Sequence, residues 1–304
     1  MRPMIETDEH PSDRNAVVSR RTLVRWRPKG LHLAVPLLVL LVVFFAIPGL
    51  ELVRRSFFDS SGSLSLDSYV SFLETPAYRK ILLRTFVVAA LCTVICALFA
   101  YPYAYLMTLS TPRVRRILLV LVLLPFWTSL MVRTYAWLVL LQDTGPLKSA
   151  LNAIGLGGLE LIRTTNGVLI AMTQILLPFM VLPLYNNLQK IDRSDLLAAQ
   201  SLGATPRRAF WRAYFPQSLP GLFAGSVLVF ILALGFYITP VILGSPQNSM
   251  MSQLIVRQVS ERLDWASGGA MAVVLALLTL GCIVVASRFV KVQRAFGGVE
   301  SGEN

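Results

Sequence analysis

The sequence predicts an all-α integral membrane protein with six transmembrane helices and one long loop on the cytoplasmic side. Three observations predict it. The 304 residues are 55% hydrophobic and only 14% charged, with mean hydropathy +0.64, where a soluble chain is about a quarter charged. Six apolar runs reach the roughly 20 residues that a helix needs to cross the hydrocarbon core. The basic residues fall unevenly on the links between those runs, as they do on the two sides of a membrane.

The first run, 31–53, is uncharged from Gly30 to Leu50. The second, 81–109, is free of charge after Arg84, and the third, 116–142, is interrupted only by Arg133. The fourth, 166–188, lies in a stretch without charge from Thr164 to Gln189. The fifth and sixth are 221–243 and 266–287. A basic tail, 1–30, precedes this 31–290 membrane domain, and a short tail, 291–304, follows it. The polar lead of about 30 residues, with no small-x-small site after the apolar core, predicts an uncleaved first span rather than a signal peptide. Prolines stand inside the spans, among them Pro102, Pro125, Pro178, Pro183 and Pro240. Each removes a helical donor, which suits a moving bundle but is also common in membrane helices.

Eighteen Lys and Arg fall on residues 1–30, 110–116, 189–220 and the tail after 287, against eight on the three opposite links. Both termini and the 189–220 link are therefore expected in the cytoplasm. The net charge of +12 does not mark a nucleic-acid partner, because no soluble domain carries a basic stripe with interleaved aromatics. Cys92 and Cys96 share a helix face at i, i+4. They read as small apolar residues at a helix contact in preference to a metal or redox pair.

The 189–220 link carries helix signals. Asp192 or Ser194 can cap a short helix whose apolar face would be Ala198, Ala199 and Leu202. Gly203 suits the C′ position, where φ is positive. Thr205 and Pro206 read as N-cap and first residue of a second helix. That helix would carry Ala209, Phe210, Ala213 and Tyr214 on one side and Arg208 and Arg212 on another, with Pro216 and Pro220 ending it before the fifth span.

The pattern Ala198-Ala199-x-x-x-Gly203, with Pro216 thirteen residues on, resembles the EAA loop of ABC importer permeases. The segments Pro125–Trp137, Leu177–Tyr185 and Leu228–Pro240 resemble the spermidine/putrescine type of that family, and the likeness covers roughly residues 80–290. It implies the permease subunit of a binding-protein-dependent importer of the bacterial inner membrane. Its partners would be two ATPase subunits, a second permease (expected to be a different chain), an extracytoplasmic solute-binding protein and membrane lipid. ATP and Mg would be used by the ATPase, and this chain would bind no cofactor. By the same likeness Ala198, Ala199, Gly203, Pro206, Arg207, Arg208, Phe210 and Pro216 would dock on the ATPase. The chain departs from the pattern at Leu197, where the family has Glu, with Asp195 two positions off. The solute implied is a polyamine, with another small solute, such as an amino-acid-like compound, as the alternative.

The residues also bear on other classes. No G-x-x-x-x-G-K-[ST] occurs, and Gly155-Leu156-Gly157-Gly158 lacks the lysine of a phosphate loop. The spans offer no acid, base or metal-ligand set for a membrane enzyme, and no mid-membrane coupling charges for a stand-alone carrier. Trp127, Arg133, Tyr135, Trp137, Asp143, Phe236 and Tyr237 are the candidate path residues. Aromatic rings can hold ammonium groups, or these can form an interfacial belt with ordinary packing. Arg133 lies 17 residues after Arg116, about 25 Å along a straight helix. There it can snorkel or make a structural pair, or it can act as a gate or solute contact.

Overall fold

A computed structural model describes residues 31–58, 63–155, 157–192 and 194–297. The 1–30 tail and the end of the C-terminal tail lie outside the described residues. The chain forms two compact units, Met1–Gly49 and Leu50–Asn304. All regular structure among the described residues is helical, apart from a single bridge between Phe58 and Leu64.

In the first unit, α1 (Leu31–Leu41) passes through a π-helical turn, Val42–Ala46, into α2 (Ile47–Ser56). The apolar span here is Val35–Ser56. The second unit begins within α2, where Glu51 accepts from Arg54 and Arg55 at 2.8 and 2.9 Å. It continues through α3 (Asp67–Glu74), α4 (Pro76–Leu109), α5 (Pro112–Leu123), α6 (Leu130–Leu141), α7 (Pro146–Ala153) and α8 (Thr165–Leu188). Then follow α9 (Ser194–Ser201), α10 (Pro206–Ala209), α11 (Phe215–Leu234), α12 (Ile238–Leu243), α13 (Met251–Val256) and α14 (Trp265–Gly297). Five helices among the described residues are long and apolar enough to span, or six when the bent pair Pro112–Trp127 with Leu130–Ala153 is counted as one span.

The core is a trio with α8 at its centre. On α4, Ala89, Cys92, Cys96, Ala100 and Ala104 recur at helical spacing and are all fully buried. Small residues in register let two backbones approach closely where lipid leaves no hydrophobic drive between helices. Cys92 and Cys96 reach Thr173 of α8 through their sulfurs, at 3.8 Å to its hydroxyl and 3.5 Å to its carbonyl. On α11 the small stripe is Gly221, Gly225, Val229 and Ala233, all buried. A Cβ added at Gly225 would stand 2.7 Å from the Met180 sulfur and 3.0 Å from its carbonyl oxygen. Gly221 meets Asn187 in the same way, so α11 runs antiparallel along α8. Within this packing α8 stays helical through Pro178 and Pro183.

A second cluster, Phe72, Met251, Leu254 and Met271, joins α3, α13 and α14. The N-terminal part of α4 is tied to it by Thr85, whose hydroxyl accepts from the Met251 amide at 2.8 Å. Arg84, at the start of the second span, donates to the carbonyls of Gln247 and Ser249.

Two spans differ from the sequence expectation. The third, 116–142, is not one helix. A 3₁₀ turn at Leu124–Trp127 and extended backbone at Thr128 interrupt it, and the segment beyond is turned by 99°. Pro125 has no amide to continue the α-ladder, and its carbonyl is taken by the Thr128 amide and hydroxyl. The fifth, 221–243, starts earlier and ends earlier. Helix is continuous over Pro206–Leu234, bridged by a π turn at Phe210–Tyr214, and stops at Gly235 before the short α12. Pro216 and Pro220 therefore do not end the second loop helix. Pro216 sits in the first turn of α11, where the π turn has already shifted the hydrogen-bond register, and Pro220 lies where Asn187 supports the neighbouring carbonyls.

Candidate functional site: the 189–220 loop and the broken spans

The loop is built from short-range signals. The Asp192 carboxylate accepts from the Ser194 amide at 2.9 Å, and these bonds to Ser194 hold its carboxyl below the usual aspartate range. α9 ends in a Schellman motif: the Ala204 amide donates to the Ala199 carbonyl and the Gly203 amide to that of Gln200. Gly203 takes φ +87°, which a side chain would strain. The Thr205 hydroxyl then accepts from the Arg208 amide, with Pro206 first in α10. The capping residues thus stand in the expected roles.

The inward face of α9 keeps Ala199 but otherwise departs from expectation. Leu196 and Ala199 turn toward the body, while Leu197 and Leu202 are 64% and 90% exposed and Ala198 is exposed with them. Asp195 is exposed, and its carboxylate accepts from Gln217 of α11 at 3.0 Å. The outer face of this helix is therefore apolar at Leu197, with the nearby carboxylate committed to the α11 base. Arg207, Arg208, Trp211 and Arg212 are exposed on the next segment.

Phe210 is an anchor rather than an outward residue. Its ring meets Tyr101 and Tyr105 of α4 at 6.2 and 5.5 Å and stacks on Tyr214 at 5.5 Å. The Tyr101 and Ser218 hydroxyls share a hydrogen bond of 2.9 Å. Asn187, with its amide oriented to donate, reaches the carbonyls of Gln217 and Ser218 at 3.0 and 3.3 Å. The loop is thus fastened to the C-terminal ends of α4 and α8 and the N-terminal end of α11 together. Neither Asn187 nor Gln217 stands out in the sequence, because an amide signals its partner only once the fold brings it near. The Gly221-x-x-x-Gly225 pair does carry a sequence signal for close packing.

The candidate path residues do not form one cluster. No ring contact among the described residues joins any two of Trp127, Tyr135, Trp137, Phe236 and Tyr237. Trp127 and Tyr135 are exposed, at 76% and 55%. Trp137 packs inward and its indole donates to Gln174 of α8 at 3.1 Å. Phe236 is packed against the core, and its carbonyl accepts from Ser252 at 2.7 Å. Tyr237 borders a cavity of about 480 Å³ with Arg163, Ser245, Gln253, Arg257 and Glu261. Asp143 is exposed just beyond α6. α6 and α12, which follow the two helix breaks, meet through the buried hydroxyls of Thr134 and Thr239, 3.2 Å apart. Arg133 stands at the edge of the buried stripe of α6. Its Nε is sealed from solvent and has no acceptor. Since the span is bent, the straight-helix distance of Arg133 from Arg116 no longer sets its depth.

Residues 31–295 match the family described as binding-protein-dependent transport system inner membrane component. The chain belongs to that family. It is 32% identical over 246 residues to the spermidine/putrescine transport system permease proteins PotB of Haemophilus influenzae and Escherichia coli strain K12. The alignments cover 78% of this chain and 86% and 89% of those proteins. Its fold is that of a chain in a bacterial ABC transporter that imports the acidic polysaccharide alginate, with TM-score 0.64 and 17% identity over 85% of this chain and 93% of that one. As a member of the family, the protein is a multi-pass, non-catalytic permease subunit of an ABC importer, and ATP hydrolysis belongs to a separate chain.

Proposed function

We propose that this permease passes a polyamine, delivered by a solute-binding protein, across the bacterial inner membrane. The observation that carries the solute is the 32% identity to spermidine/putrescine permeases over 78% of the chain. In this reading a second, non-identical permease completes the path and two ATPase subunits, using ATP and Mg, lie below it. Both termini and the 189–220 loop are cytoplasmic. The loop docks on an ATPase through Ala198, Gly203, Pro206, Arg207 and Arg208, with Ala199, Phe210 and Pro216 holding it in shape.

The fastening of that loop to α4, α8 and α11 supports a lever. Closure of the ATPases would press on α9, and the aromatic contacts around Phe210 would carry the displacement into the core trio. ATP and the loaded binding protein would each bias the same two-state equilibrium. The test is ATP hydrolysis by the reconstituted importer with and without polyamine-loaded binding protein. Stimulation is expected only with the loaded form. Solute uptake by this chain alone without ATP would exclude the importer reading.

A second reading, a small solute bearing a negative group such as an amino-acid-like compound, is favoured by one observation. Arg133 is a cation on α6, and the helices α4, α5, α6, α8 and α11 contain no carboxylate. The ligand that co-purifies with the native binding protein decides between the two.

A further inference from the structure

We infer that the cavity bordered by Arg163, Arg257 and Glu261 is a socket for the solute-binding protein, and that a carboxylate on that protein pairs with Arg163. The inference rests on the orientation given above, in which the links 143–165 and 244–265 face outward. That a binding protein meets this transporter follows from the family; the cavity supplies the place and the chemistry. Both links reach it through unusual backbone. Arg163 takes φ +58°, a conformation uncommon for a residue other than glycine. It is clamped there from two sides. Its amide donates to the Leu243 carbonyl at 3.0 Å, and its carbonyl accepts from the Asn248 side chain at 3.3 Å. Arg257 and Glu261 begin and end a π-helical turn, a form frequent at functional sites, and Leu263 just beyond it has φ +57°. Backbone of this kind is unfavourable and collects where a protein binds or switches.

The charges select the occupant. Arg163 is exposed and enters no ion pair among the described residues. Arg257 and Glu261 approach only to 3.7 Å, with side chains 46% and 70% exposed, so their pair is weak and open to exchange. Two guanidiniums against one carboxylate repel a polyamine, which carries only positive groups. A lipid phosphate or a free anion would meet Glu261 as a like charge. A folded protein surface can place a carboxylate at Arg163 and keep its other acids away from Glu261, since opposed patches of fixed charge give such contacts their specificity. Guanidinium and carboxylate then meet through two parallel hydrogen bonds. The cavity, of about 480 Å³, has room for an inserted side chain, which is how interface anchors seat.

The test uses the intact transporter in lipid nanodiscs with its polyamine-loaded binding protein. A photo-crosslinking amino acid replaces Val241, which is exposed on the cavity wall. Light is expected to join it to the binding protein at a peptide carrying Asp or Glu. Arg163→Glu should weaken binding of that protein about tenfold or more, as like charges set face to face do. Arg163→Lys should lose less. Arg163→Glu with the crosslinked acid changed to Arg should restore binding. Adducts only with lipid, with another permease or with this chain would overturn the inference, and so would unchanged affinity in Arg163→Glu. The adduct forms with every native charge in place, so it decides even where the substitution harms folding. Binding without an adduct at the cavity removes the socket and leaves the importer reading. If the adduct forms but the polyamine-loaded protein does not stimulate ATP hydrolysis, the solute reading fails and the socket stands.

Discussion

The fourth span and the third span are both apolar and both interrupted by proline, yet only one of them breaks. α8 carries Pro178 and Pro183 and stays helical from Thr165 to Leu188. The third span carries Pro125 at its middle and turns by 99° there. The difference lies in what surrounds them. α8 is buried between the small-residue stripes of α4 and α11, so neighbours hold the helix axis across each missing hydrogen bond. The third span packs on one side only, and its α6 half exposes Met131, Val132, Tyr135 and Val139. Proline removes a hydrogen bond in both places. Packing decides whether the helix must bend.

The comparison can be broken most forcefully at the α8–α11 contact. Gly225→Leu would drive a side chain into Met180 and should cost about 3 kcal/mol through overpacking, seen as loss of monodisperse permease in detergent. Val132→Leu, on the exposed side of α6, should change stability by no more than about 0.5 kcal/mol. Equal losses at the two sites would mean that the trio is not the rigid part. The next effect in size is at Gly203. Valine there should cost about 1–3 kcal/mol of local strain, leave insertion intact and abolish the stimulation of ATP hydrolysis by the loaded binding protein. Transport at the wild-type rate would show that the loop is not the lever.

A smaller effect joins the broken span to α12. A double-mutant cycle of Thr134→Val and Thr239→Val should show a coupling of about 1 kcal/mol, the value of one buried hydrogen bond. No coupling would leave α6 held by apolar contact alone. The smallest effect is at Leu197. Because it is exposed, Leu197→Glu should alter thermal stability by about 0.5 kcal/mol or less, and any change in stimulated ATP hydrolysis would locate it at the ATPase contact.

Much of the loop was legible residue by residue. Thr205 caps through its own hydroxyl, and Gly203 ends α9 because it alone adopts φ +87° without strain. These are local events, complete within five residues of chain. The candidate path was less legible. Trp137 turns away to Gln174, and Phe236 is packed into the core, while Trp127 lies open. All are large aromatics in similar apolar contexts, so composition does not separate them. The apolar face of α9 departed from expectation at Leu196, Ala198 and Leu202 for a related reason. Leu196 packs on the body and Asp195 bonds to Gln217, twenty-two residues away, contacts that only the fold creates.

What the sequence determined alone were the quantities that add up along the chain: apolar run lengths, the excess of Lys and Arg on one set of links, and the caps of the short helices. What only the tertiary structure decided were the competitions between near-equal terms. A proline's lost hydrogen bond and ring clash cost about 3 kcal/mol within a helix, which is of the same order as the packing that a buried helix gains from its neighbours. Whether Pro125, Pro178 or Pro216 marks a break therefore depended on which helices stood beside it.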